Sequence, residues 1–151
     1  MTLNSFNFNT TPGIRFGSGQ AKDACKEIFN KLGSRILFIT DKGLMSLGLT
    51  KPTIEEIKKM ASVEVFDDVE ADPSQKTLLK AIEIGKKFKT TGVIGFGGGS
   101  SMDVAKLSSL ILGSNEDLEK AWGVANAKGP RLPLVLFPTT AGTGSEVTPI
   151  S

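Results

Sequence analysis

The apolar positions of this chain fall into short unbroken runs, separated by longer stretches in which they recur every three or four residues. RILFIT (residues 35–40), GVIGF (92–96) and LPLVLF (132–137) are too short for helices and rich in strand formers. Each predicts a strand buried on both faces, as in a parallel sheet. VEVF (63–66) alternates and predicts a less buried strand, and residues 14–16 predict a short one closed by the turn Gly17-Ser18-Gly19. Between the runs, Ala21, Ala24, Cys25, Ile28, Phe29 and Leu32 recur at helical spacing with Lys22, Asp23, Lys26 and Glu27 among them, and Gly33 ends that helix. Short helical pieces are predicted over 42–47 and from near Pro52 through Glu55, Ile57 and Lys58. Pro73 predicts the first residue of a helix whose face carries Leu78, Leu79, Ile82 and Phe88. Val104, Ala105, Leu107, Ser108 and Ile111 mark another, followed by a looser stretch with Trp122 and the Gly129-Pro130 break. Strand and helix in this rhythm predict a single doubly wound, Rossmann-like α/β domain over residues 1–151, its mainly parallel sheet flanked by helices.

Composition narrows the function classes. The 151 residues carry 18 basic and 16 acidic side chains, a net charge of +2, with no basic block or aromatic-basic interleaving, which argues against a nucleic-acid partner. Lys86, Lys87 and Lys89 gather at a predicted helix C-terminus, where they complement the dipole. No apolar run reaches the ~18 residues of a membrane span, and the polar residues 1–11 lack the shape of a signal peptide, so the expected location is cytoplasmic. The single cysteine, Cys25, cannot form an internal disulfide and reads as a packed thiol. The chain has no histidine and no tyrosine. That excludes a histidine base, a Ser-His-Asp triad, a tyrosine acid and a histidine metal site built from this chain.

The segment GFGGGSSMDVAK (residues 95–106) carries the candidate chemistry. A strand that ends in glycines and feeds a helix presents free backbone N–H groups backed by the helix dipole, an anion site usually occupied by phosphate. Glycine tolerates positive φ, and without a Cβ it lets phosphate oxygens reach the amides. Ser100 and Ser101 offer hydroxyl donors or a helix cap, and Asp103 is expected in the first helical turn. A tight strand–helix turn with glycines used only for packing is the alternative. Neither GxxxxGK[ST] nor GxGxxG is present.

Several strand ends agree with a phosphate reading. In an open parallel sheet, ligands bind outside the carboxyl ends of the strands. There this chain places Asp41, Asp72, the loop Gly97-Gly98-Gly99-Ser100, and Thr139-Thr140-Ala141-Gly142-Thr143. A carboxylate at a neighbouring strand end accepts both hydroxyls of an adenosine ribose and repels a 2′-phosphate, while small hydroxyl-bearing residues suit a dinucleotide's pyrophosphate and far end. Taken singly, Asp41 and Asp72 also read as helix N-caps.

At this point the residues resemble the iron-dependent (group III) alcohol dehydrogenases over the whole chain. IRFGSG resembles the family's N-terminal strand and turn, FITDKGLMSLGL its first nucleotide strand and acidic position, and GFGGGSSMDVAK its GGGSxxDxxK loop. PTTAGTGSEVTP resembles its second fingerprint and argues against the dehydroquinate synthases and glycerol dehydrogenases, which share the glycine loop. The resemblance implies a dinucleotide-binding domain in which Asp41 faces the adenosine ribose and favours NAD over NADP. Gly98, Gly99 and Ser100 would hold the pyrophosphate, with Ser101 beside them and Asp103 shaping the loop. Thr139, Thr140 and Thr143 would line the path toward adenine and nicotinamide, and Asp72 would stand near the adenosine half. It further implies reversible hydride transfer between an alcohol and its aldehyde or ketone, in a homo-oligomer when full length.

The family's divalent metal, usually Fe2+, is held by an aspartate and histidines in a second, helical domain. With no histidine here, and with EVTPIS expected to run as a strand to Ser151, the chain reads as the cofactor half alone, binding nucleotide and catalysing little by itself. A stand-alone nucleotide-binding module without catalysis is the alternative function, and an assembly-dependent piece with an open strand edge a third.

Overall fold

A computed structural model describes residues 11–121 and 126–148; the first ten residues, residues 122–125 with Trp122 among them, and the last three residues lie outside them. Four strands, β1 (Arg35–Ile39), β2 (Ser62–Phe66), β3 (Gly92–Gly97) and β4 (Leu134–Pro138), form one sheet in the order β2-β1-β3-β4, every pair parallel. The helix α1 (Gln20–Leu32) precedes the sheet; parallel neighbours require crossovers, and α2 (Lys42–Ser46), α3 (Lys51–Lys58), α4 (Gln75–Phe88), α5 (Gly99–Ser114) and α6 (Leu118–Ala121) lie in them. This is the doubly wound α/β architecture expected from the sequence.

Strand alternation divides the core into two layers. Ile36, Phe38, Ile94 and Phe96 pack with Cys25 and Leu32 of α1 and with Ile54 and Ile57 of α3. Leu37, Ile39, Phe66 and Val93 pack with Leu78, Ala81 and Ile82 of α4 and with Val104, Ala105 and Ile111 of α5. Phe38, Phe96 and Phe137 continue across β1, β3 and β4 with ring centroids 5.7 Å apart at each step. Each fully buried aliphatic or aromatic side chain of this kind contributes about 1.5–3 kcal/mol.

The structure corrects several sequence expectations. Residues 14–16 form no strand; Ile14 and Phe16 are exposed, and three residues without a paired neighbour cannot satisfy a ladder. β4 starts at Leu134 and is half-buried, because among the described residues it is an edge strand, as β2 is at the other side. α4 begins after Pro73 rather than on it. Ser74 caps it by accepting the Thr77 N–H, and Leu79 points outward while Ala81 and Gly85 share the buried face. Residues 145–147 make a turn closed by N–H groups of Val147 and Thr148 on the Gly144 carbonyl, where the expected strand had been read; the last three residues of that strand lie outside the described ones.

Candidate functional site

The topology creates a switch point. β1 leads by α2 and α3 to β2 on one side, whereas β3 leads by α5 to β4 on the other, so the connections diverge above the carboxyl ends of β1 and β3. A crevice opens there in doubly wound sheets. Asp41 stands on one side of it and Gly97, Gly98 and Gly99 on the other.

The glycines serve two different ends. Gly97 closes β3 with φ 154°, and a Cβ there would lie 2.7 Å from the Ser101 hydroxyl oxygen, so the turn into α5 admits no side chain. Gly98 is the N-cap of α5 and, lacking a side chain, supplies no cap bond. The first N–H groups of this 16-residue helix, those of Gly99, Ser100 and Ser101, have no intrahelical acceptor and face the crevice end with the positive pole of the dipole. Ser100 and Ser101 are therefore helical residues rather than caps. Ser101 is buried against Gly97, Ser100 is half-buried, and Asp103 is the fifth helical residue, just past the first turn where it was expected.

The loop after β4 closes over the glycines. The Thr139 N–H donates to the Gly97 carbonyl at 2.9 Å. A Cβ on Gly98 would meet the Thr140 hydroxyl at 3.4 Å, and one on Gly99 would meet Thr143 Cγ2 at 3.2 Å. Thr139, Thr140 and Thr143 are themselves exposed. Sequence reasoning missed what fixes this loop. Lys106 is buried, its ammonium 3.2 Å from the Asp103 carboxylate and 3.0 Å from the Ser145 carbonyl, while the Ser145 hydroxyl donates to Asp103 at 3.4 Å. A lysine placed between Ala105 and Leu107, three residues after Asp103, was the available signal.

Asp41 is half-buried and caps α2, its Oδ1 accepting the Leu44 N–H at 2.9 Å. Asp72 is exposed in the loop before α4 with φ 50°, and no hydrogen bond among the described residues joins it to the crevice. The residue that orders that loop is Glu70, which accepts from the Ser74 N–H and hydroxyl and from the Thr77 hydroxyl. The Thr77 hydroxyl first, then the Ser74 N–H, hold its carboxyl down at about 2.

The described residues do not fit a metal centre. The chain has no histidine, no group of three or more His, Cys, Asp or Glu among the described residues is arranged to hold an ion, and burial pushes the Cys25 thiol up to about 11. Among the described residues no helix is long and apolar enough to cross a membrane.

Comparison with known proteins agrees with this geometry. Residues 11–151 match the family described as iron-containing alcohol dehydrogenase. The sulfoacetaldehyde reductase of Bilophila wadsworthia (strain 3_1_6) is 36% identical over 149 residues, covering 97% of this chain and 38% of that protein. A crystal structure of a 1,3-propanediol oxidoreductase superposes with a TM-score of 0.89 at 27% identity, over 96% of this chain and 38% of that one. Sulfoacetaldehyde reductase from Bifidobacterium kashiwanohense, solved in complex with NAD+, gives 0.80 at 30% identity, over 96% of this chain and 39% of that one. The chain thus spans under two-fifths of the length of these relatives.

Proposed function

The chain belongs to the iron-containing alcohol dehydrogenase family, and from that premise we propose that it is the cofactor-binding part of an NAD-dependent oxidoreductase. The reaction is reversible hydride transfer between a small alcohol and its aldehyde or ketone. The observation that carries this reading is the convergence, at one switch point, of the free α5 N-terminus at Gly98–Gly99, the threonine loop and the Asp41 carboxylate.

Gly98, Gly99 and Ser100 hold the pyrophosphate through backbone N–H groups. Ser101 packs under them, and Asp103 with Lys106 keeps the loop in place. Thr139, Thr140 and Thr143 line the far end of the slot. Asp41 spends one oxygen on α2 and offers the other to the ribose hydroxyls, favouring NAD over NADP because a carboxylate repels a 2′-phosphate. Asp72 is assigned to the adenosine half on the family resemblance. The nicotinamide, when bound, supplies the hydride acceptor or donor. This chain's residues bind it and fix its orientation. The metal that the family implies finds no fitting ligand set among them, so its ligands are proposed to lie in the part of the relatives' length that this chain does not span, and no step is drawn through it. The full-length protein is proposed to be a homo-oligomer.

The test is a titration of the purified 151-residue chain with NADH and, separately, NADPH, followed by nicotinamide fluorescence after circular dichroism has shown it folded. Saturable NADH binding with weaker NADPH is expected. A folded chain that binds neither overturns the reading.

A further inference from the structure

The crevice has a charged neighbour that the cofactor reading leaves unused. Beyond the carboxyl ends of β1 and β2, an isolated antiparallel bridge pairs Asp41 with Asp68. The Asp68 carboxylate lies between two lysines, Oδ1 2.5 Å from Lys42 Nζ and Oδ2 3.4 Å from Lys80 Nζ. The pairing reinforces both charges: Asp68 is held below the usual carboxylate range by hydrogen bonds and charge from Lys42 and then Lys80, and Lys42 is pushed up by Asp68. A cavity of about 400 Å3 opens beside them, lined by Lys42, Asp68, Glu70, Thr77 and Lys80 among others. Glu70 is already engaged by Ser74 and Thr77, so Asp68 is the acid that occupies the two cations.

We propose that Asp68 is a second determinant of cofactor choice, because by pairing Lys42 and Lys80 it withholds the two cations that a 2′-phosphate on the adenosine ribose would otherwise meet. The inference rests on the dinucleotide reading above. In doubly wound folds the strand-end carboxylate takes the ribose 2′-hydroxyl, and a 2′-phosphate is accommodated by a basic residue near that position. The neighbour bridged to Asp41 here is Asp68, with Lys42 following Asp41 directly in sequence. A phosphate carries close to two negative charges and takes its strongest hydrogen bonds from cationic donors. With Asp68 charged, that position offers neutralised lysines and a second carboxylate. Without it, the two lysines lose that partner, and of the other acids beside them Glu70 is engaged by Thr77 and Asp67 acts on Lys42 through its charge alone. All three side chains are substantially exposed, between 45% and 73%, so the lysines are able to turn to a new partner without unfolding anything.

The experiment replaces Asp68 by its uncharged isostere, Asp68→Asn, in the 151-residue chain, and measures NADH and NADPH dissociation constants side by side with the parent. NADPH is expected to bind about fivefold tighter, the scale of one exposed charge interaction, with NADH within about twofold of the parent. Adding Lys42→Gln and Lys80→Gln together to the variant is expected to erase most of the gain. An unchanged NADPH-to-NADH ratio while NADH still binds saturably overturns this inference and leaves the cofactor site standing. A gain that survives the loss of both lysines overturns it as well, since it would come from general charge rather than a released lysine. If the folded parent binds neither nucleotide, the cofactor reading itself fails and this inference with it.

Discussion

The Lys106 ammonium and the Ser145 carbonyl, 39 positions apart in the chain, meet at 3.0 Å inside the protein. Lys106 is 3% exposed, so the contact joins α5 to the loop after β4 from within, and the Asp103 carboxylate lies 3.2 Å from the same ammonium. A buried cation held by a carboxylate and a carbonyl is costly to remove by halves, because what remains is a desolvated charge without its partner.

Lys106→Met keeps the length of the side chain and deletes the charge. It leaves the Asp103 carboxylate and the Ser145 carbonyl short of a donor, and a loss of about 2–4 kcal/mol is expected. Urea unfolding followed by circular dichroism checks it: the midpoint should fall with the slope unchanged. NADH binding should weaken too, since the loop carrying Thr143 loses its anchor. A midpoint equal to the parent's would mean that the loop is held by its backbone alone.

Glu70 gives a pH signature. Its carboxyl is held at about 2 in the folded chain by the Thr77 hydroxyl and the Ser74 N–H, against an ordinary value of 4.5. As pH falls, the unfolded chain takes up the proton first, so the stabilisation is complete above about 4.5 and drains away down to about 2. Glu70→Gln should therefore melt lower than the parent at neutral pH, and the two melting temperatures should converge across that window. A difference that stays constant through it removes Glu70 as the source.

The parallel sheet was legible because 35–40 and 92–96 are apolar without alternation, a pattern that only a strand covered on both faces can use. The same pattern misled at β4, where Leu134–Pro138 is as apolar but lies at the sheet's rim. Asp72-Pro73 and Ser74 are competing helix starts two residues apart, and local preference cannot rank them. Glu70 decides for Ser74 by bonding it from four residues upstream. The glycine loop announced the free N-terminus of a helix but not the threonine loop that closes over it. That depends on Thr139 meeting Gly97 and on Lys106 meeting Ser145, pairings that exist only once β4 lies beside β3.

Cys25 is expected to be chemically silent. It is buried, its thiol donates to the Ala21 carbonyl at 3.1 Å, and burial, then the negative charge of Glu56, push it up to about 11. The thiolate is the reactive form, so at mildly alkaline pH the native chain should give almost no reaction with a disulfide reagent. In denaturing urea it should release one equivalent per chain, from its single cysteine. Rapid native reaction would mean that α1 opens readily from the sheet.

The glycines of 95–99 separate packing from ligand contact, and two alanine variants read the difference. A Cβ on Gly95 would lie 2.7 Å from Ala105 Cβ and 2.9 Å from Leu136 Cδ2, so Gly95→Ala forces α5 off the sheet and should cost about 1–3 kcal/mol. Gly98 has φ −77°, and its added methyl would meet only Thr140, at 3.4 Å. Gly98→Ala should therefore fold as the parent does, or slightly more stably, since alanine leaves the unfolded chain less freedom. Yet that methyl would stand where the proposed pyrophosphate would meet the free N–H groups of α5, and NADH should bind at least about tenfold more weakly, the loss of one charged hydrogen bond or more. Unfolding curves and fluorescence titrations on both variants check the pair. If Gly98→Ala keeps both its stability and its NADH affinity, the glycines serve the fold alone and the phosphate must be sought elsewhere.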